Sequence, residues 1–178
     1  MITRRTFLQG IAVAGATLVA PAAMAKVLQS GERRLSLYNL HTGERLTTAY
    51  WADGVYLKDE LAAINHLLRD HRSGDVSSID HKLLDRLHSL QQQLGHNGTY
   101  QVISGYRSAA SNAKLQRVSN GGVAKRSLHM QGRAIDIRLP GVELKHLRQV
   151  ALNQKAGGVG YYEKSNFIHL DTGRTRFW

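Results

Sequence analysis

Three short segments of the chain hold residues able to do chemistry: Ser104-Gly105-Tyr106-Arg107-Ser108, Ser127-x-His129-x-x-Gly132-x-Ala134-x-Asp136, and His169-x-Asp171. One continuous helix would bring His129 and Asp136, seven residues apart, close to one face. Gly132 and the β-like run after it argue instead for a loop entering a strand over 133–139. On such a strand Ile135 and Ile137 turn to a core, and Asp136 faces the other way, towards a cleft. Gly132 and Ala134 leave room for a close approach of backbone or metal. By the same alternation His169 and Asp171 share one face of the final strand.

A His/Asp/His set supplies three N and O ligands. A zinc ion with three protein ligands keeps a fourth position for water. It lowers the pKa of that water and polarises a peptide carbonyl. Asp171 is a candidate base or a partner that orients a liganding histidine. Arg107, on a loop after a strand, is a candidate to stabilise a carbonyl oxygen or bind a substrate carboxylate. Tyr106, Ser127 and Tyr161 are candidate substrate contacts, although Tyr161 and Tyr162 suit packing as well. The remaining histidines read differently. His66, His71, His81, His88 and His146 fall in helical stretches as surface residues, and His41 and His96 sit near turns. Asp171-Thr172-Gly173 spells the aspartic-protease triplet, but that chemistry needs two aspartates sharing a proton. Only one copy occurs.

Elements must position these groups. Leu35–Leu40 and Arg45–Trp51 have strand composition around a Thr42-Gly43 turn and read as a β-hairpin. Leu57, Leu61, Ile64, Leu67 and Leu68 predict an amphipathic helix over 57–71. Asp80 caps a second helix, whose stripe is Leu83, Leu84, Leu87, Leu90 and Leu94, and Gly95 ends it. A short strand runs from Thr99 to Ser104. Val142, Leu144, Leu147, Val150 and Ala151 suit a third helix. The glycines 157, 158 and 160 mark a turn into Tyr161-Tyr162, and Phe167–Leu170 is the last strand. Strands and helices do not alternate strictly, which favours a single α+β domain: an antiparallel sheet with helices packed on one face.

Composition agrees with one domain. The chain has 178 residues, 42% hydrophobic and 21% charged, with two prolines. It therefore reads as globular. The absence of cysteine excludes a disulfide framework, a thiolate nucleophile, a cysteine zinc finger and an iron–sulfur cluster. Twenty-four basic against thirteen acidic residues give a net charge of +11, which favours polyanions. The first 25 residues look like an address. Arg4-Arg5 precedes Phe7-Leu8, a weakly apolar run follows from Ile11 to Ala20, and Ala23-x-Ala25 forms a cleavage site. This is the order of a secretory signal of twin-arginine type. The expected organisation is a signal over 1–25, a linker over 26–33 and the domain over 34–178. An exported, periplasmic protein meets peptidoglycan, with free carboxylates on its stem peptides, rather than nucleic acid. No stable membrane span is expected once the signal is cleaved, and the protein is expected to be a monomer.

The second segment matches the SxHxxGxAxD signature of D-Ala-D-Ala-type zinc peptidases. This family shares a metal-site fold with lysostaphin and hedgehog domains. Ser-Gly-Tyr-Arg-Ser at 104–108 resembles the family's arginine loop. Asn39–Glu44, Gly157–Tyr162 and Phe167–Gly173 resemble its branch of exported murein endopeptidases, so the likeness covers nearly all of 34–178. The resemblance implies that His129, Asp136 and His169 hold one zinc ion. It also implies that Arg107 is the transition-state or carboxylate-binding arginine. The implied substrate is the cross-linked stem peptide, including links between two diaminopimelate residues. Many relatives place their general base three or two residues before the last ligand, where this chain has Asn166 and Phe167. Asp171, with Glu163 behind it, is left as the candidate. Two rival readings follow: a D-Ala-D-Ala carboxypeptidase or dipeptidase, and a non-catalytic peptidoglycan- or zinc-binding scaffold.

Overall fold

The computed structural model describes residues 31–119 and 122–178. The expected signal segment, and all of the expected linker but its last three residues, lie outside them. Eight strands form one sheet: β1 (Arg33–Asn39), β2 (Arg45–Ala52), β3 (Val55–Tyr56), β4 (Tyr100–Ser104), β5 (Ala134–Arg138), β6 (Gly158–Tyr162), β7 (Phe167–Asp171) and β8 (Arg176–Phe177). Their order across the sheet is β3-β2-β1-β4-β5-β7-β6-β8. The four α-helices among the described residues are α1 (Lys58–Leu67), α2 (His81–Leu94), α3 (Ala109–Val118) and α4 (Leu144–Asn153). The α+β expectation holds, and the sheet is mostly antiparallel. Two pairs, β1 with β4 and β6 with β8, run parallel. The first of these is a long crossover through β2, β3, α1 and α2, of the kind that parallel neighbours require.

One face of the sheet carries the core. Leu35 and Leu37 of β1, Tyr100 and Val102 of β4, Ile135 and Ile137 of β5, and Ile168 and Leu170 of β7 pack with the leucine stripes of α1, α2 and α4. The second helix follows its sequence signals closely. The Asp80 side chain accepts from the Lys82 amide, and Gly95 closes the helix in the left-handed region at φ 60°. The first helix stops at Leu67, four residues short of the predicted span, and the chain after it turns into a loop around Asp70.

Several elements differ from the sequence expectation. The short edge strands β3 and β8 are not expected from the sequence, and with β8 after it the strand at Phe167–Asp171 is not the last. The Gly157–Gly160 stretch is not a turn, because Gly158 to Gly160 already belong to strand β6. Helix α3 is new. It buries Ser111 and Asn112 rather than an apolar stripe, so its sequence lacks helical periodicity. It stands beside the Arg107 loop, apart from the core.

Candidate metal centre

The face of the sheet opposite the core positions the chemical groups. Strands β5 and β7 pair antiparallel, with Asp136 opposite His169 and Ala134 opposite Asp171. Directly opposed side chains lie within contact range. The register alone therefore sets the carboxylate of Asp136 against the imidazole of His169. Strand β4 joins this face through a break in its alternation. Val102 pairs with Ile137 in the core, while Ser104 pairs with Asp136 across a register shift. The irregularity turns Ser104 to the site side, a use of strand irregularities common beside functional sites.

His129 arrives from a single 3₁₀ turn, Leu128–Gln131. Gly132 ends it at φ 64°, and a Cβ there would come within 2.0 Å of the Ser78 carbonyl oxygen. Only glycine fits that position. The turn is knitted to the Arg107 loop in both directions. His129 Nδ1 donates to the Gly105 carbonyl at 2.7 Å, and the Arg107 amide donates to the His129 carbonyl at 3.1 Å.

Three atoms converge: His129 Nε2, Asp136 Oδ1 and His169 Nδ1. Their separations are 3.2 Å between the nitrogens, 2.9 Å from His169 to Asp136 and 3.3 Å from His129 to Asp136. A tetrahedral ion bonded at about 2.0–2.1 Å sets its N and O ligands about 3.4 Å apart. The outer ring nitrogens fix the tautomers. A carbonyl and a carboxylate only accept, so His129 Nδ1 facing Gly105 and His169 Nε2 facing Asp171 at 3.0 Å both carry protons. In the neutral rings, two lone pairs and a carboxylate oxygen then point at one spot, which suits a cation. All three side chains are buried. Burial pushes the Asp136 carboxyl up, but His129 and His169 outweigh it and hold its pKa below the usual range. Burial likewise disfavours a charged His169, yet Asp136 and Asp171 raise its pKa overall.

Asp171 is fully buried and its oxygens are saturated. Oδ2 accepts from His169 and from Arg176 Nη2 at 2.7 Å. Oδ1 accepts from the amides of Gly158 and Gly173 and from Arg176 Nη1. The Asp171-Thr172-Gly173 triplet is thus a turn closed on its own carboxylate. A base needs a free oxygen facing the substrate, so the base reading of Asp171 gives way to the orienting one. Glu163 is no substitute. It is exposed and 3.7 Å from Lys145. Asn166, at φ 52°, closes the turn between β6 and β7.

A cleft of about 450 Å³ opens over the three atoms. Arg107, Arg126, Ser127, Tyr162, Phe167 and Trp178 are among its lining residues. Arg107 is mostly buried, with Nη2 3.9 Å from Asp136 Oδ2. Its loop hangs on Asp70, which accepts from the Ser108 amide at 2.9 Å, from the Ser108 hydroxyl at 2.8 Å and from the Arg72 amide at 3.0 Å. Two expected substrate contacts are displaced. Tyr106 packs against the core, and its amide bonds Leu68. Tyr161 also packs on the core, being paired with Ile168, whereas Tyr162 reaches the cleft. Ser127 makes no capping bond and keeps its place in the lining. The sequence reading missed Asp70, Arg126, Arg176 and Trp178. Strand alternation from Val159 would have found Tyr162, but nothing local marks Asp70.

Comparison with known proteins bears on this geometry. The family model described as peptidoglycan L,D-endopeptidase MepK matches residues 28–178. The chain is 44% identical to the peptidoglycan L,D-endopeptidase MepK of Escherichia coli over 171 residues, covering 96% of this chain and 93% of that protein. It is 40% identical to the probable peptidoglycan L,D-endopeptidase MepK of Haemophilus influenzae over 172 residues, 96% of this chain and 91% of that one.

Proposed function

The chain belongs to the peptidoglycan L,D-endopeptidase MepK family, and from that premise we propose that it hydrolyses peptide cross-links of peptidoglycan at one zinc ion. His129 Nε2, Asp136 Oδ1 and His169 Nδ1 would hold the ion. The convergence of these atoms, with both outer ring nitrogens already committed, is the observation that carries the reading. A bound zinc supplies Lewis acidity to a peptide carbonyl and acidifies water at neutral pH. The chain's own residues do the rest. Arg107 presents a guanidinium beside the site, where charge develops on the carbonyl oxygen. Arg126 adds a second cation for the carboxylates of the stem peptides. Asp136 is the only side-chain carboxylate among the described residues lining the cleft.

Cell-wall peptides lie outside the cytoplasm, so this reading includes export to the periplasm. The Arg4-Arg5 start and the Ala23-x-Ala25 site supply a twin-arginine route. No helix among the described residues is long and apolar enough to cross a membrane. The protein would act as a monomer.

The test is product analysis. Residues 26–178 are incubated with cross-linked muropeptide dimers, with zinc or with chelator, and products and bound metal are measured by mass spectrometry. Dimers should fall to monomers only in the metal-loaded protein, at one zinc per chain. Loss of terminal D-Ala from intact dimers would establish a trimming enzyme instead. Bound zinc without any cleavage would establish a scaffold.

Asp171 acts in this scheme as an orienting partner. Burial pushes its carboxyl up, but bonds from His169, Arg176, Gly173 and Gly158 hold its pKa below the usual range. In Asp171→Asn the amide nitrogen would face His169 Nε2 and force that atom to accept. The ring proton would move to Nδ1 and point into the metal site. Zinc affinity, measured by chelator competition, should fall 10- to 100-fold. Wild-type affinity in the variant would remove Asp171 from this role.

A further inference from the structure

We propose that Trp178 is a specificity-determining residue. Its exposed indole face would receive the long aliphatic side chain of the substrate residue that adjoins the scissile bond. The proposal rests on the endopeptidase reading above and names what the cleft selects within it.

Trp178 is 47% exposed, yet it is tied down on several sides. Its amide donates to the Val159 carbonyl at 3.2 Å, and its carbonyl accepts from the Tyr161 amide at 3.0 Å. Indole Nε1 donates to the Tyr162 hydroxyl at 3.0 Å. The ring lies directly over β6, where a Cβ on Gly160 would come within 2.7 Å of it. Glycine at 160 thus makes room for the indole. The Arg176 guanidinium lies over the ring, 5.0 Å from its centroid, and the ring still lines the cleft. A large ring fixed in place and partly exposed in a cleft is a preformed surface, and binding to it costs little ordering.

Position and chemistry define what that surface takes. The indole centroid is 5.3 Å from the imidazole of His169. An extended residue spans about 3.5 Å, so only groups within one or two residues of the reacting carbonyl reach the ring. The sugars of the glycan strand lie further along the stem. Polar recognition at this spot is already spent. Indole Nε1 is bonded to Tyr162, and both terminal nitrogens of Arg176 are on Asp171. Carbon surface remains, and the stacked rings of Tyr162 and Phe167, 4.5 Å apart, add to it. An unbranched run of methylene groups fits such a wall. Each methylene group buried there is worth roughly fourfold in affinity.

Two cross-linked peptide dimers test this. They share one backbone and differ at the residue next to the scissile bond, which bears either a three-methylene side chain or the methyl of alanine. The metal-loaded wild type should prefer the long chain at least tenfold in kcat/KM. In Trp178→Ala that ratio should collapse towards one, and Trp178→Phe should restore most of it. Calorimetry of the long-chain product gives a second readout, with binding at least tenfold weaker in Trp178→Ala. Zinc affinity is measured in parallel. A preserved ratio, with both substrates slowed equally, would make Trp178 a mere support for His169 and overturn the proposal. A wild type that cleaves both peptides without preference would overturn it too. A metal-loaded wild type that cleaves neither would overturn the endopeptidase reading, and this proposal with it.

Discussion

Asparagine in place of Asp136 should remove measurable zinc at micromolar concentrations and slow muropeptide hydrolysis by more than about a thousandfold. The substitution keeps shape and removes one negative charge. That charge is the only carboxylate among the three converging atoms, and all three side chains are buried. Its loss also leaves the Arg107 guanidinium, 3.9 Å away, facing two imidazoles with no counter-charge at that point. A cation brought into such a site would meet net repulsion from the one already there. Thermal melts give a reading independent of turnover. A ligand that binds only the folded state adds about 2.7 kcal/mol of stability at a hundred times its Kd. The wild-type melting temperature should therefore rise with zinc, and that of Asp136→Asn should not. Full zinc stoichiometry together with wild-type hydrolysis in the variant would exclude His129, Asp136 and His169 as the metal site.

The residues that matter were legible one strand at a time. Ile135 and Ile137 alternate with Asp136, and Ile168 and Leu170 with His169. Both patterns give the correct face. The opposition of Asp136 and His169 was not legible, because cross-strand register depends on turns and partners far along the chain. Ser104 illustrates the same limit. Simple alternation places it with Val102 in the core, and the register shift in β4 sends it to the site. Helix α3 escaped because its inward groups are Ser111 and Asn112, which answer to Arg107 and Asp70 rather than to an apolar core. The glycines of β6 read as a turn because glycine usually weakens a strand. They are tolerated here since Asp171 and Trp178 fill the space their side chains would take. Tyr161, expected to touch substrate, falls on the core face of β6, and Tyr162 on the cleft face. Family resemblance supplied the ligand set and the substrate class. It did not single out Trp178, which lies within the matched residues but beyond the motifs that carry the likeness.

Replacing Arg107 with alanine should lower kcat about 10²- to 10³-fold, equivalent to about 3–4 kcal/mol of transition-state stabilisation. The side chain is only 11% exposed, and its partners are weak. Nη1 reaches Asn112 at 3.4 Å, Nη2 reaches Ser104 at 3.3 Å, and the buried Nε has no partner among the described residues. Burial lowers its pKa, with the nearby Asp136 opposing that shift. A buried cation with long, incomplete bonds gains most when an anionic oxygen forms beside it. Zinc affinity separates this role from structural damage. Removing a positive charge next to Asp136 makes the metal site more negative, so affinity should hold or rise while kcat falls. The kinetic split decides between the two roles open to this arginine. A fall in kcat and kcat/KM together marks an interaction made in the transition state, whereas a raised KM at constant kcat marks ground-state binding of a substrate carboxylate. Arg107→Lys sharpens the distinction. It retains the charge and loses the planar fork, so it should recover less of kcat than it would of simple carboxylate binding.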